Sequence, residues 1–258
     1  MSIMDSNLLL TKLRDSVSEI IATESKVAVA YSGGLDSSII AALADEKASA
    51  MCYTCAVDGS FDARNAKHFA DEEGRLLNLI RLKPDDIGSF ARSASRILKT
   101  PDPIRIAYTI PILCVLHRCS EGVILTGSGA DELFCGYAKY AQVRDPRQAM
   151  AADLEKMLSE AESLSSEAAS LGKYIGFPYA MPKIISAAAE IPIEKKINST
   201  DRKIILREIA ATLGIPSHAR PKKAAQYSSG VMREMERQAK EAGLSLSDWT
   251  VKTSTGRE

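Results

Sequence analysis

The stretch K-V-A-V-A-Y-S-G-G-L-D-S-S at Lys26–Ser38 decides the fold. Its first half, Lys26 to Tyr31, is apolar on both faces, as a buried strand must be. Ser32, Gly33 and Gly34 follow at once, and an alanine- and isoleucine-rich helical segment runs on through Ala44. The order is strand, loop, helix. Two adjacent glycines let the backbone turn tightly and point successive N–H groups at an anion lying at the start of the helix. Phosphate is the guest that suits this loop, with Ser32, Ser37 and Ser38 adding hydroxyl donors. An aspartate beside a phosphate calls for a cation between them, so Asp36 argues for Mg²⁺. The loop is neither G-x-x-x-x-G-K-[ST] nor G-x-G-x-x-G, which weakens the ordinary triphosphatase and dinucleotide readings. The alternative is a plain turn in which Asp36 caps the helix.

Working outward, helical spacing marks residues 7–21, with Leu9, Leu13, Val17, Ile20 and Ile21 on one stripe. After the loop come a strand over 48–57, a helix over 62–73, a strand over 76–82 and a helix over 85–98. Thr100 to Pro103 break the chain before an apolar helix interrupted by Pro111. Gly122 to Leu125 read as the next strand and run into Thr126, Gly127, Ser128, Gly129, Ala130, Asp131 and Glu132. Such alternation predicts an α/β fold with an open, doubly wound parallel sheet, followed by a helical C-terminal half. The expected division is an α/β core over 1–141, a helical part over 142–249 that contains the periodic stretch Asp153–Ala169, and a flexible polar tail over 250–258. Ligands of open parallel sheets gather outside the carboxyl ends of strands. If the strands before the two loops are neighbours, Asp36 and Asp131 share one Mg²⁺.

Lys+Arg and Asp+Glu both number 33 and cancel, and no long basic stretch supplies a nucleic-acid footprint. A polynucleotide partner is therefore disfavoured. No apolar stretch is long enough to span a bilayer and no signal core opens the chain, so a cytoplasmic, soluble protein is expected. Five scattered cysteines read as reduced thiols rather than a disulfide framework. Cys52 and Cys55 form a C-x-x-C, but in a strand that spacing puts them on opposite faces, as small buried hydrophobes.

S-G-G-L-D-S-S at Ser32–Ser38 resembles the signature of the N-type ATP pyrophosphatases, the PP-loop or adenine nucleotide alpha hydrolase-like superfamily. T-G-S-G-A-D-E-L-F-C-G-Y at Thr126–Tyr137 resembles the second signature of asparagine synthetases and their β-lactam synthetase relatives. K-I-I-L-R at Lys203–Arg207 is similar to the family's K-x-x-L-R helix. Arg220, Pro221 and Lys222, then Gln226 to Gly230, resemble its late basic loop. The resemblance spans roughly residues 25–235. It implies an ATP-dependent ligase: a carboxylate, aspartate among the candidates, attacks the α-phosphorus of ATP, pyrophosphate leaves, and an amine displaces AMP to give an amide. By the same resemblance, Ser32, Gly33, Gly34, Asp36, Ser37, Ser38, Gly127 and Gly129 hold ATP, and Asp36 and Asp131 hold Mg²⁺. Lys222, Asp131 and Lys203 serve catalysis, Lys222 at the charge growing around the α-phosphate.

Three departures qualify the resemblance. Met1 is followed by Ser2 and only a short helix precedes the loop, so glutamine hydrolysis in cis is not expected. Ammonia would then be free, come from a separate glutaminase subunit, or be replaced by another amine. Ser128 stands where the family carries an acidic residue, and Cys135 where it carries the first glycine of F-G-G-Y. The family's G-x-E-x-R-x-P-F reads here as Gly172 to Tyr179, with Tyr174 and Gly176 in place of the Glu and Arg. Two rivals stay open: a non-catalytic ATP-binding subunit, and a thiolation enzyme in which Cys52, Cys55 or Cys135 handles sulfur. The sequence also leaves a homo-oligomer open.

Overall fold

An apolar stretch such as Val27–Val29 has no surface left for solvent when it is flanked by strands on both edges and helices on both faces. That is where the chain puts it. The computed structural model describes residues 5–216 and 228–255. Its sheet has the order β3-β2-β1-β4-β5, all parallel: β1 is Lys26–Ala30, β2 Ser49–Val57, β3 Leu77–Leu82, β4 Val123–Leu125 and β5 Tyr174–Gly176. Val27, Ala28 and Val29 are all fully buried, which explains why both faces of β1 are apolar.

Eleven helices surround the sheet among the described residues: α1 (Ser6–Ile21), α2 (Leu35–Asp45), α3 (Phe61–Glu72), α4 (Pro84–Leu98), α5 (Pro103–Arg118), α6 (Ala130–Leu133), α7 (Arg147–Ser170), α8 (Pro182–Glu190), α9 (Ile204–Thr212), α10 (Val231–Glu241) and α11 (Leu246–Thr255). Val27 and Val29 share one core with Leu13 of α1, Ile39 of α2, Ile184 of α8 and Leu206 of α9. Ala28 faces the other core, with Ile87 of α4, Ile110 of α5, Met235 of α10 and Trp249 of α11. The alternation follows from the two-residue period of a strand.

The parallel α/β architecture is the one expected, with four local differences. Pro111 does not interrupt α5, because Ile110, Leu113 and Cys114 around it are fully buried and packing outweighs one missing N–H. The helical half contributes β5, too short to register as an apolar run, which extends the sheet beside β4. The expected flexible tail over 250–258 is helical through Thr255, held by buried Trp249 and Thr250 and by the Ser254 hydroxyl, which donates to Ser95 Oγ at 2.5 Å. Cys52 and Cys55 do lie in different cores, but Cys55 is disulfide-bonded to Cys114 of α5 rather than reduced, since each occupies the same buried layer.

One buried charge works against the fold. Lys196 is only 4% exposed; its ammonium has no hydrogen-bond or ion-pair partner among the described residues and keeps a narrow contact with solvent. Burial pulls its pKa down from 10.5 to about 8; the nearby Cys135 thiol raises it and Arg147 lowers it further. Below pH 8 the folded and unfolded chains both hold the proton and the cost is fully present. Between about pH 8 and 10.5 only the unfolded chain keeps it, so stability rises with pH through this group. Lys196→Met is expected to gain roughly 2–3 kcal/mol at pH 7 and to lose that alkaline rise. Urea unfolding at pH 7 and pH 10 checks this, and parallel profiles for parent and variant would refute it.

Candidate functional site

Between β1 and α2 the chain must leave the sheet and start a helix within four residues, Tyr31–Gly34. Gly33 makes this possible at φ 68°, where an added Cβ would also overlap the Phe69 ring. Ser37 then pins the turn: its hydroxyl donates to Gly34 O and accepts from the Ser32 N–H, both at 3.2 Å. The Gly34 N–H donates to Ser32 Oγ at 3.3 Å. Gly34 caps α2 without a side-chain bond. The first turn of an 11-residue helix therefore opens onto a preformed loop, the arrangement that favours an anion. Ser38 is placed differently from the expectation. Further round the helix, it is buried and donates to Glu73 Oε1 at 2.8 Å.

The second loop, Thr126–Gly129, leaves β4, which is hydrogen-bonded to β1. A Cβ at Gly127 would stand 3.0 Å from both Asp36 Cβ and Ser37 N, so glycine lets the two loops touch. Gly129, at φ 97°, fits against Met157 and Tyr179, and the Tyr179 hydroxyl donates to Asp36 O at 3.4 Å. Neighbouring strands thus bring Asp36 and Asp131 to one place, as their loops suggested.

What joins the carboxylates in the structure is a lysine. Lys203, 3% exposed, sits just before α9 in the left-handed region at φ 58°. Its ammonium lies 2.5 Å from Asp36 Oδ2 and 2.6 Å from Asp131 Oδ1. Burial opposes the charge, but Asp131 and Asp36 outweigh it and raise the pKa above the ordinary lysine value. A strained backbone that aims a buried cation is a feature of functional sites. The backbone of α6 leads straight on to Cys135, also left-handed at φ 57°, and to Gly136, where a Cβ would collide with the Asp131 carboxylate and the Lys203 side chain. The family's glycine at the first of these positions thus has a conformational reason.

Sequence reasoning named Glu132 in the second acidic loop but gave it no role. It is buried, accepts from the Tyr137 hydroxyl at 2.6 Å, and its pKa is pushed up to about 7 by burial and by neighbouring Asp131. An Asp-Glu pair with a tyrosine five residues on was the available signal. Ser128 is half-buried and offers no carboxylate. Tyr174 is 55% exposed, and a Cβ at Gly176 would meet Ile20 Cγ2 at 2.5 Å and Leu125 Cδ2 at 3.2 Å. An arginine has no room there.

Lys222, with Arg220, Pro221, Gln226 and Tyr227, lies outside the described residues. The segment that follows returns to the carboxyl end of β2: Ser229 O accepts from the Val57 N–H at 2.9 Å, and Gly230, at φ 80°, packs on Ser60 and Val57. Beside it is a cavity of about 560 Å³ lined by residues 57–61, Arg64, Gly230, Arg233, Glu234 and Arg237. Phe61 on its wall touches Phe69, the ring packed under Gly33, so cavity and loop share a wall.

The residues fit a magnesium ion. Asp36 Oδ1 is buried and without a hydrogen-bond partner, a hard oxygen beside a second carboxylate. No cluster of three or more His, Cys, Asp or Glu side chains suited to a metal exists among the described residues. Mg²⁺ commonly takes one or two carboxylates and completes its shell with phosphate and water. Among the described residues no helix is long and apolar enough to cross a membrane.

The asparagine synthase family model matches residues 8–176. The putative asparagine synthetase [glutamine-hydrolyzing] 1 of Methanocaldococcus jannaschii is 26% identical over 277 residues, covering 90% of this chain and 51% of that protein. Asparagine synthetase B [glutamine-hydrolyzing] of Escherichia coli K12 is 23% identical, covering 89% of this chain and 46% of its own length. The chain spans about half the length of these curated relatives. Among solved structures, NMN synthetase from Francisella tularensis overlaps 98% of this chain and 85% of its own, with TM-score 0.47 and 13% identity. With two glycine loops meeting over a shared lysine, and the family model covering most of both the sheet and its loops, the chain belongs to the asparagine synthase family.

Proposed function

We propose that this chain is an ATP-dependent amide ligase: it adenylates a carboxylate with release of pyrophosphate, then lets an amine displace AMP. The observation that supports this best is Lys203 bridging Asp131 and Asp36, the latter in the first turn of α2. A fixed cation, two fixed carboxylates and a helix N-terminus make a preorganised place for a charged leaving group. In this reading the N–H groups of Gly33 and Gly34, with the Ser32 and Ser37 hydroxyls, hold the pyrophosphate. The cavity beyond β2 takes the nucleoside, being within the size range of small-molecule sites.

The carboxylate oxygen forms a bond to the α-phosphorus while the bond from that phosphorus to the β-bridging oxygen breaks, and pyrophosphate departs. The amine nitrogen then bonds to the acyl carbon, AMP leaves with the former carboxylate oxygen, and the nitrogen gives up a proton. Lys203 holds Asp36 and Asp131 in register. Asp36 Oδ1 and Asp131 would hold Mg²⁺, which when bound neutralises charge on the leaving pyrophosphate. Lys222 is assigned to the α-phosphate on family resemblance. The acceptor end differs from the family: without a carboxylate at Ser128 or a side chain at Gly176, the acid accepted is one that does not need them, and aspartate is one candidate in a panel. Nitrogen comes as ammonia, from a separate glutaminase or from another amine.

Release of AMP and pyrophosphate from ATP, Mg²⁺, ammonium and a panel of carboxylates tests the proposal. Binding of ATP without AMP from any acid would replace it with the reading of a non-turning nucleotide-binding subunit, which Ser128 and Gly176 favour over the thiolation alternative. Asp36→Asn is expected to lower Mg²⁺-dependent pyrophosphate release by about 100-fold or more. A variant with parental turnover at saturating Mg²⁺ would remove Asp36 from the metal.

A further inference from the structure

Between α7, α8 and the end of α6 lies a second cavity, of about 220 Å³. Its walls are apolar: Leu133, Met150, Leu154, Ile185, Ala188 and Ile191 among them. The polar groups on it are Glu132, Arg147 and Lys196. Arg147 is exposed and already donates to Asp145 Oδ2 at 2.9 Å, and Glu132 is held by the Tyr137 hydroxyl. Lys196 is the exception, a side chain 96% removed from solvent that faces this cavity with nothing described to pair its ammonium. A cation drawn down to a narrow contact with solvent and left without a protein partner is costly, and an anion in the apolar cleft beside it would complete it.

We infer that this cavity is a binding site for a small carboxylate with an apolar body, its carboxylate on Lys196 and its hydrocarbon against α7 and α8. The volume equals about seven waters at ~30 Å³ each, which suits a body of four to six carbons. The site is distinct from the nucleotide centre: α6 sends Asp131 to Lys203 and turns Glu132 and Leu133 to this cavity. The inference does not depend on the proposed ligase activity. Two sources share the chemistry, a short branched fatty acid and an apolar α-amino acid, whose ammonium would fall to Glu132.

Calorimetric titration of the full chain at pH 7, without ATP, with 4-methylpentanoate, leucine and 4-methylpentan-1-ol separates the cases. One saturable site for at least one of the two acids is expected, with the alcohol weaker by about tenfold or more. The tighter of the two acids identifies the source. Lys196→Met is expected to weaken binding of that acid by at least about tenfold while the protein stays folded. Ala151→Phe, on the exposed rim of α7, is expected to block the cavity with Lys196 intact. Absence of saturable binding by both acids, equal binding of the alcohol, or full binding by Lys196→Met would each overturn the inference.

Discussion

Lys203→Met is expected to lose pyrophosphate release and to melt about 10 °C below the parent. The variant removes the ammonium that joins Asp36 and Asp131 among the described residues and leaves two partly buried carboxylates close together. Breaking a buried pair from one side costs about 3–5 kcal/mol, because the remaining charge keeps its desolvation cost and loses its partner. In a domain of this size each kcal/mol moves the midpoint by about 2–4 °C. Adding Asp131→Asn should recover part of the loss, since the second change removes the repulsion that the first created. Thermal melts of the two single variants and the double variant measure the coupling. Additive losses, or a Lys203→Met midpoint within about 2 °C of the parent, would mean that the bridge contributes little.

Gly136→Ala is the second large effect, and it acts through one carbon atom. The new methyl group would occupy the space of the Asp131 carboxylate and of the Lys203 side chain. Both must move, and Lys203 has little freedom because its left-handed backbone is fixed by Ile204 N–H donating to Lys196 O at 3.1 Å and by α9 behind it. Overpacking of this kind costs about 1–3 kcal/mol. Catalysis should suffer more, with turnover falling about 100-fold for a displacement on the order of 1 Å. Pyrophosphate release at saturating ATP is the readout. A variant that keeps parental turnover would show that Asp131 and Lys203 need no fixed spacing.

The two predictions concern residues of different legibility. The loops were readable because glycine chemistry is local: a pair of glycines after an apolar strand has few other uses, and Gly33 and Gly127 do what that pattern requires. Their meeting was readable too, given that parallel strands gather loops at one edge. The lysine between the carboxylates was not. Lys203 entered through its resemblance to a family helix, whereas the contact it makes spans 167 residues and leaves no periodic trace. β5 was missed for a related reason, since three residues carry too little pattern to separate a strand from a loop. The last helix was mistaken for a tail because its polar residues hide the two buried positions, Trp249 and Thr250, that anchor it. Lys196 looked like any lysine, for burial of a single charged residue is a property of the packed neighbours.

The span between Asp36 and Lys203 also bears on the order in which the protein is made. Synthesis proceeds from the N-terminus, and both acidic loops emerge long before the residue that neutralises them. A nascent chain that has reached residue 202 holds every strand of the sheet and both carboxylates, yet not the ammonium that joins them. Long-range contacts of this kind are slow to form in folding, so the bridge between the two loops closes only after the chain has passed residue 203.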